Sequence, residues 1–113
     1  MLASANRLTR AEDFRLVVRR GRRTGGPLVV VHQVVPNVDK AISSPAKVGF
    51  VVAKSVGPAV TRNRVKRRLR HLLRERIDSL PAGSMLVVRA LPGAAGADSR
   101  DLGAELDRCL VRA

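Results

Sequence analysis

Residues 61–70 read Thr-Arg-Asn-Arg-Val-Lys-Arg-Arg-Leu-Arg, and six of these ten side chains are cationic while none is acidic. The chemistry of such a run is anion recognition. A guanidinium group offers a planar fork of N–H donors that matches two phosphate oxygens at once. The run is not a disordered basic tail, because apolar residues recur through it at helical spacing. Val65, Leu69, Leu72, Leu73 and Ile77 fall at i, i+4, i+7, i+8 and i+12, which is one face of an amphipathic helix. Asn63, Arg67, Arg70 and Arg74 fall on the opposite face, with Arg64 and His71 beside them. One side of this helix belongs to a core, and the other presents concentrated positive charge to a polyanion.

The rest of the chain carries the same bias. The 113 residues hold 22 Lys and Arg against 9 Asp and Glu, a net charge of +13. Self-repulsion of this size costs stability, so it is retained for binding. Nucleic acid is the first candidate partner and an anionic membrane surface the second. Arginine greatly outnumbers lysine, as phosphate recognition favours.

Catalytic sets are missing from the pattern. The two histidines and the single Cys109 are widely separated and have no metal-ligand spacing. There is no Gly-x-Ser-x-Gly elbow, and residues 21–26 lack the Gly-Lys-Ser/Thr ending of a phosphate loop. Asp98, Asp101, Glu105 and Asp107 lie on or near one helix and read as caps and surface charge. The sequence therefore offers no self-contained active site.

A single domain, residues 1–113, is expected from the length. An apolar fraction of 45% supports a modest core. One cysteine permits no intrachain disulfide, which fits a reducing cytoplasm. The first residues contain no long apolar stretch of a secretory signal. No segment approaches the roughly 18 apolar residues of a membrane span.

The elements that must position the basic helix follow from local signals. Thr9 and Glu12 fit a capping box that opens a helix over residues 10–20, with Gly21 as its left-handed terminator. Ala11, Phe14 and Val18 share one face of it. Residues 28–35 are β-rich and apolar on both faces, so they predict a strand inside a covered sheet. Residues 36–46 read as a loop and residues 47–53 as a second strand. Gly57 and Pro58 mark a turn into the basic helix, which runs from residue 59 or 61 to 79. Residues 85–91 are a third strand. Asp98 or Ser99 caps a last helix, whose apolar stripe is Leu102, Leu106, Cys109 and Leu110. This α-β-β-α-β-α order predicts an α+β sandwich of helices packed on a small sheet.

Residues 54–70, Lys-Ser-Val-Gly-Pro-Ala-Val-Thr-Arg-Asn-Arg-Val-Lys-Arg-Arg-Leu-Arg, resemble the signature of the bacterial ribonuclease P protein component. That family has a lysine at a strand end, a Gly-x-Ala-Val turn and an Arg-Asn-Arg helix. Arg7-Leu8 and Glu12-Asp13-Phe14 resemble its first helix, Val48-Gly49-Phe50 the strand before the signature, and residues 85–90 the strand after it. The resemblance spans residues 7–112.

It implies a two-layer sandwich with a mixed four-stranded sheet and three helices in α-β-β-β-α-β-α order, like the second domain of ribosomal protein S5. The extra strand is short, over residues 22–24. It also implies a left-handed crossover through the basic helix, against the general right-handed rule.

In function, the resemblance implies the protein subunit of an endoribonuclease that removes the 5′ leader of precursor tRNA. The chemistry belongs to an RNA subunit using Mg²⁺, with no metal assigned to the protein. The implied partners are ribonuclease P RNA and precursor tRNA, with no membrane. Lys54, Arg62, Asn63, Arg64, Lys66, Arg67, Arg68 and Arg70 match the RNA-binding positions. Phe14, Val18 and His32 match a cleft for the leader. The chain has two Phe and no Tyr or Trp, so base stacking is expected to be sparse.

Three other functions would use the same charge. A structural ribosomal protein is distinguished by which RNA it retains. A stand-alone metal-dependent nuclease needs a carboxylate cluster. Membrane association needs the apolar face that the core already claims.

Overall fold

Valine-rich runs and the 3.6-residue stripe sort the chain into a sheet with helices on both faces. A computed structural model of the chain describes residues 2–36 and 44–112. Most of the expected loop over residues 36–46 lies outside the described residues. Helix α1 spans Ala11–Arg20 and leads into strand β1, Arg22–Gly25, and strand β2, Val29–Val34. Strand β3, Lys47–Val52, is followed by a 3₁₀ turn, Lys54–Val56, and helix α2, Ala59–Arg76. Strand β4, Met85–Ala90, and helix α3, Ser99–Cys109, complete the fold.

The sheet order is β1-β2-β4-β3. β2 pairs antiparallel with β1 and β4, whereas β3 runs parallel to β4. A parallel pair needs a long crossover, and α2 supplies it. β2 and β4 are the central strands, which explains why both are apolar on two faces. On one face Val29, Val31, Val48, Leu86, Val88 and Ala90 meet α2 and α3 in the main core. On the other, Val87 joins Leu8 and Val17 in a smaller cluster under α1, with Phe14, Val34, Val51 and Met85 at its margin.

α2 buries Val65, Leu69, Leu72 and Leu73, and Ile77 continues the stripe in the 3₁₀ turn that ends the helix. α3 buries Leu102, Leu106 and Cys109, and Leu110 follows them into the core. Asp98 is its N-cap and accepts the Asp101 N–H at 2.8 Å. Gly57 has φ +152° and ψ −171°, a region open in practice only to glycine. The turn from β3 into α2 therefore requires a glycine.

Two expectations at the ends of α1 are corrected. Thr9 is not the N-cap: Arg10 holds that position, with no side-chain cap bond. The cause lies in the preceding residues. Arg7 bridges to Val48, and the Leu8 N–H donates to the Val48 carbonyl at 3.0 Å. That pairing keeps the chain extended through Arg10, so the helix starts one residue late. Gly21 is not left-handed either; its φ is −72° and ψ 153°. The chain passes straight into β1 without reversing. Glycine is needed there for close approach, because a Cβ would overlap the Val17 carbonyl and stand 3.0 Å from the Gln33 nitrogen.

Leu69 is fully buried and Arg67 exposed on the same helix. Leu69→Ala is expected to cost about 2 to 5 kcal/mol of stability, and Arg67→Ala less than about 0.5 kcal/mol. Urea unfolding followed by circular dichroism checks both, and the reverse order would mean that α2 is rotated from the orientation described.

Candidate nucleic-acid interface

α2 distributes its cations over three sides. Asn63, Arg67, His71 and Arg74 are exposed on the outer side. Lys66 and Arg70 flank the stripe toward β3, where they line a groove of about 160 Å³ with Arg7, Phe14, Gly49 and Phe50. Arg64 and Arg68 flank it on the other side. Each donates one bond to a loop carbonyl, Arg64 Nη2 to Ala95 at 3.2 Å and Arg68 Nη1 to Ala97 at 3.0 Å. Arg62 Nε donates to the Gly57 carbonyl at 3.1 Å. Lys54 stands exposed on the 3₁₀ turn just before the helix.

Among the described residues, no carboxylate pairs with any cation from Arg62 to Arg70. The ion pairs lie elsewhere: Arg10–Glu12, Arg76 with Glu75 and Asp107, Arg108–Glu105 and Arg112–Asp107, while His71 Nε2 stands 3.1 Å from Glu75 Oε1. Val60, 77% exposed, adds an apolar spot to the start of the same helix. The first three turns of α2 are therefore an uncompensated positive surface with backbone-anchored flanks.

A second surface lies on the α1 face of the sheet. Strand register sets Arg23, His32, Val87 and Gly49 in one row, and Val30, Arg89 and Val51 in the next. Val17 of α1 closes over the sheet, while Arg89 and Val51 of the next row stay accessible. The result is an open groove of about 380 Å³ lined by Phe14, Arg15, Val18, Arg19, Val51 and Arg89. Phe14 rests on Gly49, where any Cβ would overlap its ring. Phe14 also lines the smaller groove beside Lys66 and Arg70, so the two surfaces meet at this side chain.

Of the expected cleft residues, Phe14 and Val18 line the groove together. Val18 is 39% exposed there. His32 lies deeper, one row away and 7% exposed, and its Nδ1 is buried without a partner. Burial, with Arg89 and Arg23 nearby, lowers its pKa below the ordinary 6.5. Sequence reasoning placed none of Arg15, Arg19, Val51 and Arg89 in the cleft. A signal existed for Arg89, the only charged residue in the run Met85–Ala90. A cation in a central strand marks a face left open. Arg15 and Arg19 were legible as the flank of Phe14 and Val18, one helical turn apart.

The reading of Glu105 as surface charge is corrected: it is 1% exposed and hydrogen-bonded inside the fold. Asp98 is a cap as expected, and Asp107 takes Arg76 and Arg112. Among the described residues, no group of three His, Cys, Asp or Glu side chains is arranged to hold a metal. No helix among them is long and apolar enough to cross a membrane.

Comparison with known proteins gives a consistent answer. The family model described as Ribonuclease P matches residues 2–113. The ribonuclease P protein component of Streptomyces avermitilis is 54% identical over 116 residues, covering 99% of this chain and 94% of that protein. Its counterpart in a Nocardioides species is 54% identical over 112 residues, with the same coverage of 99% and 94%. Among solved structures, the RNase P protein of Staphylococcus aureus aligns with a TM-score of 0.77 at 22% identity, covering 92% of this chain and 91% of that one. The Thermotoga maritima RNase P protein, solved with 1-(4-fluorophenyl)-2-thiourea, aligns at 0.77 and 24% identity, covering 92% and 96%. At these identities the two structures establish the fold.

The environment of His32 makes a pH prediction. The fold favours its neutral form, whereas the unfolded chain takes up a proton as pH falls through about 6.5. The stability from neutral His32 is thus complete above that pH and is lost below it, toward the lower folded pKa. Between about pH 7.5 and about pH 5, the protein should lose more stability than its His32→Gln variant does. Urea midpoints of both proteins across this range check it; parallel curves would mean that His32 titrates normally.

Proposed function

The chain belongs to the ribonuclease P protein family, and we propose that it binds the catalytic RNA of that enzyme through α2 and the 5′ leader of precursor tRNA through the α1 groove. It thereby assists endonucleolytic removal of the leader. The observation that carries this reading is the continuity of two uncompensated basic surfaces at Phe14. A strand of RNA leaving the α2 side passes Lys66 and Arg70, then Phe14, and enters the groove of Val18, Val51 and Arg89.

The geometry supports the following roles. Asn63, Arg67, Lys66 and Arg70 meet phosphates without first breaking an ion pair. Arg62, Arg64 and Arg68 each spend an N–H on a backbone carbonyl. Other donors of each fork remain for phosphate, and the backbone bond fixes the direction of the fork. Lys54 adds charge at the entry to the helix. In the groove, Phe14 gives one face for base stacking, Val18 and Val51 give apolar contact, and Arg15, Arg19 and Arg89 screen the leader phosphates. His32, beneath this surface, supports Arg23 and Arg89 by staying neutral. The RNA subunit, with Mg²⁺, supplies the bond-breaking chemistry. The protein's part is to bind, orient and lower repulsion between RNA strands.

Reconstitution with the cognate RNA tests the proposal. Precursor-tRNA cleavage should proceed at lower Mg²⁺ with the protein than without it. Cleavage by purified protein that survives removal of contaminating RNA would overturn it.

Arg67→Ala should weaken binding to the RNA subunit and reduce the slope of log K against log salt by about 0.7 to 0.9, the loss of one phosphate contact. An unchanged slope would take Arg67 out of the interface. Phe14→Ala should weaken precursor-tRNA binding by the reconstituted complex about 5- to 150-fold, the loss of one stacked base. Mature tRNA, which lacks the leader, should lose much less. Equal losses for the two ligands would make Phe14 a packing residue only.

A further inference from the structure

The chain has few carboxylates, yet one is placed in the interior. Glu105 of α3 is 1% exposed. Its Oε2 accepts the Leu28 N–H at 2.8 Å and the Val29 N–H at 2.6 Å. Its Oε1 lies 3.4 Å from Arg108 Nη2. Gly26 lies directly over the carboxylate, and a Cβ there would overlap Oε1. The Gly26 N–H closes the turn by donating to the Val29 carbonyl at 3.1 Å. The turn between β1 and β2 is thus wrapped around one carboxylate.

The other end of the hairpin is tied to the same region. Gln33 Nε2 donates to the Val111 carbonyl and its Oε1 accepts the Val111 N–H, both at 2.9 Å. α3 and the residues after it therefore hold the hairpin from behind, at both ends. β4 fixes β2 independently, but among the described residues β1 pairs with β2 alone. What the clamp adds is the placement of β1. That strand carries Arg22 and Arg23, and Arg23 stands opposite His32 in the row beside Arg89.

We infer that Glu105 is a positioning residue for leader binding: it holds the β1–β2 turn so that Arg23 joins the basic rim of the α1 groove. The inference rests on the leader-binding reading above. Glu105 lies on the opposite face of the sheet from the groove and acts only through the hairpin. A carboxylate suits this task better than an apolar residue, because two backbone N–H groups at the start of β2 need an acceptor inside the fold.

The test uses the protein reconstituted with its RNA subunit. Affinities for precursor tRNA and for mature tRNA are measured for wild type, Glu105→Ala, Arg23→Ala and the double variant. Glu105→Ala should weaken precursor binding about 3- to 10-fold more than mature binding, and the loss should vanish in the Arg23→Ala background. Glu105→Gln, which keeps a carbonyl acceptor, should recover most of it. If Glu105→Ala does not fold, Gly26→Ala, which crowds the carboxylate in place, takes its position in the cycle. Equal losses for the two ligands, or additive losses in the double variant, overturn the inference at the clamp. An Arg23→Ala variant with unchanged precursor affinity also overturns it, and places the failure in the reading of β1 as part of the leader site.

Discussion

Everything in this protein depends on the apolar stripe of α2 packed into the main core against β3 and α3. The same helix carries the densest positive charge in the chain, and that charge opposes folding. Magnitudes decide the contest. Each fully buried aliphatic side chain of the stripe contributes about 1.5 to 3 kcal/mol. Each like-charge pair one turn apart opposes by about 0.2 to 0.5 kcal/mol. Val65, Leu69, Leu72 and Leu73 therefore dominate, and the helix forms with its cations outward. Arg64 and Arg68 ease the strain further by donating to carbonyls of the loop after β4. The helix is the principal structural member and carries the densest cationic surface at once: its buried stripe is free of charge, and its only acid, Glu75, lies in the last turn.

The second surface arises from a shortage of cover. α2 and α3 fill one face of the sheet, whereas α1, with ten residues, spans only about 15 Å. It closes over Val87 and leaves Val51 and Arg89 lining an open groove. A longer helix or a second one would have covered these two side chains and removed the groove. Phe14 is the one aromatic ring lining this groove, and Gly49 beneath it makes room for it. Under the proposed leader-binding reading, the groove would lean on arginine more than on stacking, and its affinity would be salt-dependent.

The errors of local reading share one form. Thr9 and Glu12 have the right spacing for a capping box, yet pairing of Arg7 and Leu8 with β3 keeps the backbone extended past Thr9. Gly21 has the right place for a helix terminator, yet the chain continues straight into β1. Glu105 has the look of a surface charge on an amphipathic helix, yet its target is a turn more than seventy residues earlier in the chain. In each case a contact distant in sequence outweighed a local preference of about 1 kcal/mol. Periodicity along one helix says which side is buried, but not which backbone group waits there.

By itself the sequence determined the three helices, the three longer strands and the sidedness of α2, because these follow from the spacing of apolar and charged residues over a few turns; the short strand β1 came only from the family resemblance. The signature in residues 54–70 was legible for the same reason: it is continuous along the chain. Only the tertiary structure decided the groove. Phe14, Val18, Val51 and Arg89 come from three separate elements, and strand register brings them together. It also decided that His32 lies beneath the groove rather than on its wall, and that Arg64 and Arg68 are anchored while Arg67 is free. Those outcomes depend on which strand lies beside which and on how far α1 reaches across them, and neither quantity is written in any local stretch of residues.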